Sequence, residues 1–381
     1  MSPRHMARAV ETTLPRRILA LSGGGVRGIV EVAFLEAAET VYKRRFGPET
    51  QLCDIFHLIG GTSTGALIAT ALSLGLPLSR IKAFYLEQAS EFFERRRWLG
   101  GIRPGGVFDS DALEREFRGT VGDILLGDPA FRTYLAIVTK RLDTGSPWIV
   151  NNIPTAPYFE DAPDGSYLGN RHYPVAQLLR AATAAPTFFE QQSLQIGPGQ
   201  RATFVDGGLS PHNDPSLALL KLARLSAFGL NWPVGEEQLF VLSVGAGRFR
   251  QRIKPALAEK AWPLQLAYLA MRGMVGDAEE HTLAMMQWLG KSRRPICVNS
   301  EIGSLADDHL TPDPIFSFLR LDLPLEEAEL KSAGLDVPAG DLRRFRRFDD
   351  PGIIRPIYDL TRAYIDAKLD LDTLLMDPPT R

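Results

Sequence analysis

A chain of 381 residues, 45% hydrophobic and 23% charged, has room for one large globular domain or a domain with an appendage. A formal net charge of −2 supplies no global basic field, which argues against nucleic acid as a partner. Two cysteines, Cys53 and Cys297, make neither a disulfide framework nor a metal-spaced pair, so a reduced, cytoplasmic setting is expected, with no metal. The opening MSPRHMARAVETTLPRR has basic residues but no apolar run behind them, so no secretory signal is read there. The longest apolar run, residues 66–78, is shorter than the ~20 residues a membrane-spanning helix needs and reads as a core helix.

In chain order, residues 1–15 read as a loose tail. A strand is expected over 18–21, a tight loop at Gly23, Gly24 and Gly25, and a helix over 30–45 that stops at Gly47 and Pro48. Taken literally, Gly23, Gly25 and Gly28 spell the glycine pattern of a dinucleotide fold. Such a fold places an acidic residue at the end of its second strand to hold a ribose. Here the second strand, residues 55–60, runs into Gly-Thr-Ser-Thr-Gly instead. That stretch is the sharpest signal in the chain. A short branched run, a turn holding Gly61, Ser63 and Gly65, and a small-residue helix match the strand–turn–helix of a nucleophile elbow. The glycines two before and two after the serine allow strand and helix to fold back on each other. The first N–H groups of the helix then point where negative charge would develop. A βαβ unit makes the strands at 18–21 and 55–60 parallel neighbours, so the glycine loop and Ser63 face one cleft. Glycines let backbone amides approach an ester oxygen, which suits an oxyanion hole. Arg27 either steadies that loop or meets a substrate phosphate.

Residues 78–99 read as helical and carry aromatics beside three arginines. Asp109, Ser110 and Asp111, with Glu114, resemble a helix start. Strands are expected over 131–138 and 148–153, joined by a turn at 143–146, and a helix over 175–185. A short strand over 202–205 ends in Asp206, Gly207 and Gly208. Residues 215–228 read as a helix, 239–244 as a final core strand, 255–289 as a long helical region and 353–369 as a last helix, with a frayed tail after 370. An activated serine needs a base. The candidates are Asp206, alone or through His212, His281 or His309; His5, His57 and His172 precede the aspartate, outside a Ser-Asp-His order. In a dyad Asp206 itself takes the serine proton, and burial at an apolar strand end raises its basicity.

GGGVRG, then GTSTG, then DGG, in this order, resembles the patatin-like phospholipases over residues 16–225. The resemblance implies an α/β, three-layer α/β/α fold with a mostly parallel central sheet. It implies Ser63 as nucleophile, Asp206 as general base, Gly24, Gly25, Val26 and Arg27 as the oxyanion loop, and cofactor-free hydrolysis of membrane phospholipid acyl esters. Many members have Asp-Gly-Ala where this chain has Asp-Gly-Gly. Residues 226–381 are expected to complete the core and add a helical extension. The chain also resembles patatin effectors of anti-phage systems, in which a cyclic dinucleotide switches on hydrolysis at the inner membrane surface. Arg248, Arg250, Arg252, Arg343, Arg344, Arg346 and Arg347 are the candidate phosphate partners, a homo-oligomer is compatible with this resemblance, and no short motif marks a nucleotide site. The rival readings are a dinucleotide-binding oxidoreductase and a non-catalytic lipid-binding protein.

Overall fold

The computed structural model describes residues 15–88, 110–186, 188–253, 255 and 259–376. The expected N-terminal tail, apart from residue 15, and the aromatic–arginine stretch after residue 88 lie outside them. Nine strands form one sheet: β1 (Arg16–Leu21), β2 (Leu58–Thr62), β3 (Tyr134–Arg141), β4 (Pro147–Asn151), β5 (Gln192–Gly197), β6 (Gln200–Asp206), β7 (Leu239–Val244), β8 (Lys291–Ser292) and β9 (Ser317–Leu321). The run β3-β2-β1-β7-β9-β8 is parallel, and β4, β5 and β6 add antiparallel pairings.

A parallel sheet is covered on both faces, so its strands are apolar throughout rather than alternating. β1 obeys this: Leu19 and Leu21 enter one core, Ile18 and Ala20 the other. Helices α1 (Gly28–Phe46), α2 (Thr64–Ser73), α3 (Ser110–Val121) and α4 (Val175–Ala182) cover the first face. α5 (Ser216–Arg224) and the C-terminal part of α6 (Pro263–Leu289) cover the second. α7 (Ala339–Phe345) and α8 (Ile354–Lys368) return to the first face. There the Tyr358 hydroxyl donates to Glu36 of α1 at 2.6 Å. The result is the expected three-layer α/β/α arrangement. The tail expected to fray after 370 instead makes a helical turn, Leu371–Leu374, and Asp372 accepts from Arg44 at 2.6 Å.

β3 decides where the site forms. β4 pairs with residues 136–140 of β3. β2 pairs with residues 134–138 and β6 with residues 139–141. Because β4 overlaps both of these segments, β2 and β6 must share the other edge of β3. They meet head to head: Thr62 lies opposite Val138, and Asp206 lies opposite Thr139. Neither strand can continue, and both chains leave the sheet at that point.

Three strands were not expected. β5 makes a hairpin with β6, and β9 and then β8 lie beyond β7, which was expected to be the final core strand. Arg320, the fourth of the five residues of β9, hides its apolar pattern. Arg320 is nevertheless buried, held by Asp214 at 2.8 Å and Asp322 at 2.7 Å, and donates to Ser22 and Ser243. This network stitches the ends of β1, β7 and β9 together beneath the glycine loop. Arg320→Met leaves two buried carboxylates without a counter-charge and is expected to lower stability by about 3–5 kcal/mol, measured by urea unfolding. A loss below about 1 kcal/mol, typical of exposed pairs, contradicts this role.

Candidate active site

Ser63 sits between β2 and α2 with φ 52° and ψ −126°, a backbone shape that costs a non-glycine residue on the order of 1–3 kcal/mol. Packing enforces it. A Cβ on Gly61 would collide with the backbone of Gly65, and one on Gly65 would collide with the carbonyls of Leu21 and Ser22 at the end of β1. A side chain at Gly61 would push α2 away from β2, and one at Gly65 would push it away from β1. The strained turn lifts the Ser63 hydroxyl to Asp206, and Oγ donates to Oδ2 at 2.7 Å. The other carboxylate oxygen, Oδ1, accepts from the Gly208 amide at 2.7 Å. The Asp206 amide donates to the Ala184 carbonyl at 3.0 Å, which pins the strand end.

Asp206 is 6% exposed. Burial pushes its carboxyl up to about 6, against the opposing pull of the Ser63 hydroxyl and the Gly208 amide. A carboxylate with this value is still mostly ionised at neutral pH and is a stronger base than an aspartate in water. Among the described residues no histidine side chain hydrogen-bonds to Ser63 or Asp206. Burial lowers His212 to about 4, so its ring is neutral at pH 7. His57 is likewise lowered to about 4 by burial and by Arg16 and Arg17, and its Nδ1 accepts from the Arg17 amide. The pair that meets is serine with aspartate.

The glycine loop lies beside Ser63. The Gly23 amide donates to the Asn213 carbonyl at 3.1 Å, Val26 to Phe348 at 3.0 Å, and Arg27 to Gly24 at 3.2 Å. These bonds divide the four residues expected to form the oxyanion loop. Val26 and Arg27 are engaged, while the Gly24 and Gly25 amides have no acceptor among the described residues. Gly25 has φ 60°, and a Cβ there would strike the Phe348 carbonyl, so only glycine fits. The Arg27 side chain secures the loop: Nη1 donates to the Gly247 carbonyl at 2.9 Å, and the guanidinium lies 5.3 Å from the Phe249 ring. The first amides of α2 also lack intrahelical acceptors and add positive potential at the same place.

Ser63, Asp206 and the glycine loop line one cavity of about 700 Å³. Its lining includes an apolar group, Leu67, Phe84, Leu113, Phe117, Phe188 and Phe189. Arg248, Arg250, Arg252 and Arg346 also line it. Several basic candidates are already engaged. Arg248 is paired with Glu329, Arg346 with Glu326 at 3.3 Å, Arg347 with Asp349 at 3.2 Å and Arg344 with Asp350 at 3.4 Å. Sequence reasoning missed Asn213, whose carbonyl and side chain bind both polar groups of Gly23 while its side chain also reaches Glu279 of α6. It also missed Phe348, and neither carries a motif that would have marked it.

The patatin-like phospholipase family model matches residues 19–220 of this chain. The chain belongs to the patatin-like phospholipase family. Calcium-independent phospholipase A2-gamma from Rattus norvegicus is 29% identical over 248 residues, 62% of this chain but 29% of that protein. The chain therefore spans under a third of the length of that relative. A cGAMP-activated phospholipase of Escherichia coli (strain TW11681) is 24% identical over 315 residues, covering 80% of this chain and 83% of that one. Patatin-like protein 2 of Arabidopsis thaliana is 27% identical over 262 residues, 62% of this chain and 61% of that protein. In this patatin-like chain the glycine loop faces a nucleophile elbow, so the dinucleotide-fold reading of Gly23, Gly25 and Gly28 is displaced.

The buried carboxyl has a measurable consequence. In an unfolded chain it ionises near ~4; in the folded chain it does so near about 6. Between these values the folded chain keeps a proton that the unfolded chain has lost, so stability falls as pH rises through the window. Above it the penalty is about 3 kcal/mol, from roughly two pKa units at 1.36 kcal/mol each. Asp206→Asn removes the charge, so its stability advantage over wild type should grow from about pH 4 to about pH 6 and then level off. Urea unfolding across that range measures it; an advantage independent of pH contradicts the buried charge.

Proposed function

We propose that this chain is a serine lipid acyl hydrolase that cleaves acyl esters of membrane phospholipids with a Ser63–Asp206 dyad. The observation that carries this reading is the 2.7 Å Ser63–Asp206 hydrogen bond in a largely apolar cavity, beside the open amides of Gly24 and Gly25. Ser63 Oγ attacks the ester carbonyl while its proton passes to Asp206 Oδ2. The carbonyl oxygen becomes an oxyanion, and the Gly24 and Gly25 amides receive it. The tetrahedral species collapses, the ester C–O bond breaks, and Asp206 returns the proton to the departing lysolipid alcohol. Water then attacks the acyl-serine and gives its proton to Asp206. A second collapse releases the fatty acid and restores the Ser63 hydroxyl. The Gly208 amide on Oδ1 leaves Oδ2 as the working oxygen.

In the same reading the enzyme works at the inner membrane surface, and a cyclic dinucleotide activates it in anti-phage defence. The support is the similarity to a cGAMP-activated phospholipase over most of both chains, together with Arg250 on the cavity wall. Free fatty acid release from phospholipid vesicles tests both parts. Asp206→Asn should lower turnover by ~10²–10⁴-fold, the range for loss of a general base, and Ser63→Ala should abolish both turnover and labelling by a fluorophosphonate. Turnover surviving in both variants ends the proposal. Wild-type release should rise when cyclic dinucleotides are added one at a time. Equal release with and without every member of the set removes the activator and leaves the hydrolase.

A further inference from the structure

The N-terminal half of α6 has an unusual surface. Trp262, just before it, is 79% exposed, Leu266 is 51% exposed and Met274 is 70% exposed. Residues 263–276 contain no acidic side chain. The C-terminal half behaves as an ordinary core helix, burying Ala284 and Met286. α6 has 27 residues, so at 1.5 Å per residue its apolar N-terminal half runs for about 20 Å. Exposed apolar area of this extent on one element marks an interaction surface.

Two observations say what covers it. First, the same half-helix walls the reaction cavity: Leu269, Met271, Gly273 and Val275 line the space that holds Ser63 and Asp206. The element that carries the exposed apolar face thus also forms part of the wall of the site. Second, Arg252 and Lys260 are exposed nearby in the chain and make no hydrogen bond or ion pair among the described residues. Cations close in sequence to an exposed tryptophan that opens an apolar half-helix fit an element lying in a bilayer interface. No helix among the described residues is long and apolar enough to cross a membrane, which fits lying on one rather than spanning it.

We propose that the N-terminal half of α6 docks in the interfacial layer of an acidic phospholipid bilayer and opens the reaction cavity onto it. Trp262, Leu266 and Met274 enter the headgroup–acyl boundary, and Arg252 and Lys260 meet headgroup phosphates. The purpose of the surface rests on the lipid-ester reading, but its test does not pass through catalysis. Full-length Ser63→Ala protein is mixed with vesicles of phosphatidylethanolamine and phosphatidylglycerol and sedimented. Adding Trp262→Ser, Leu266→Ser and Met274→Ser together should weaken binding roughly tenfold or more, since such binding scales with buried apolar area. In an otherwise wild-type chain the same three changes should leave hydrolysis of a short, water-soluble ester unchanged. Bromine-labelled lipid should quench part of the tryptophan emission of the parent, and that part should be missing in Trp262→Phe. The quenching decides the matter even if the triple variant misfolds.

Triple-variant protein that sediments like its parent, or emission that bromine does not touch, overturns the proposal. So does a parent that ignores vesicles but forms a dimer that the triple variant cannot form, since a second copy would then cover the face. If vesicles bind as expected while the soluble ester is never hydrolysed, the docking surface stands and the hydrolase reading fails.

Discussion

Two strands compete for one edge of β3, and the site is what that competition leaves. β2 takes residues 134–138 of β3 and β6 takes residues 139–141, approaching from opposite directions. Backbone hydrogen bonding stops each strand where the other begins. The chain must leave the sheet at both ends, and the residues at the two exits are Ser63 and Asp206. A sequence separation of 143 residues becomes a contact of 2.7 Å without any long side chain reaching across. The precision comes from the ladder, which places both backbones before either side chain is considered. That is the rigid support a catalytic pair requires.

The surrounding protein bears the unfavourable terms. A serine in a strained backbone, a carboxylate in an apolar pocket and amides without acceptors all oppose folding locally. They are held by close backbone packing at the elbow, by the Arg320 network under the glycine loop, and by two apolar cores on either side of the sheet. The C-terminal third takes a direct part. β9 supplies Arg320 and Asp322, and Phe348 fixes the glycine loop through its carbonyl while its ring lies 4.9 Å from Phe188 of the cavity wall. Residues 226–376 are thus structural partners of the site as well as a continuation of the sheet.

Much of this was legible in the sequence because it depends on local backbone geometry. The elbow could be read from Gly61, Ser63 and Gly65 because a sharp strand-to-helix turn has few solutions. The glycine loop was legible for the same reason, and Asp206 because a carboxylate at the end of an apolar strand is conspicuous. What could not be read depends on partners far away in the chain. Nothing near Val26 announces that its amide meets the Phe348 carbonyl. Nothing in Asn213 announces that it closes the loop at Gly23. β9 was hidden because Arg320 interrupts its apolar run, and only the fold supplies Asp214 to neutralise it. The shared edge of β3 was also invisible, since register along a strand is not written in any one segment.

The claim on which the whole account stands is that Asp206 is a buried carboxylate bonded to the Ser63 hydroxyl. Carbon-13 NMR titration of the Asp206 carboxyl in the intact chain tests it most directly. The predicted midpoint is about 6 in wild type, moving higher in Ser63→Ala, where the hydrogen bond that favours the charged form is gone. A midpoint near ~4, the value of an aspartate in water, or one that ignores the loss of Ser63, would contradict it.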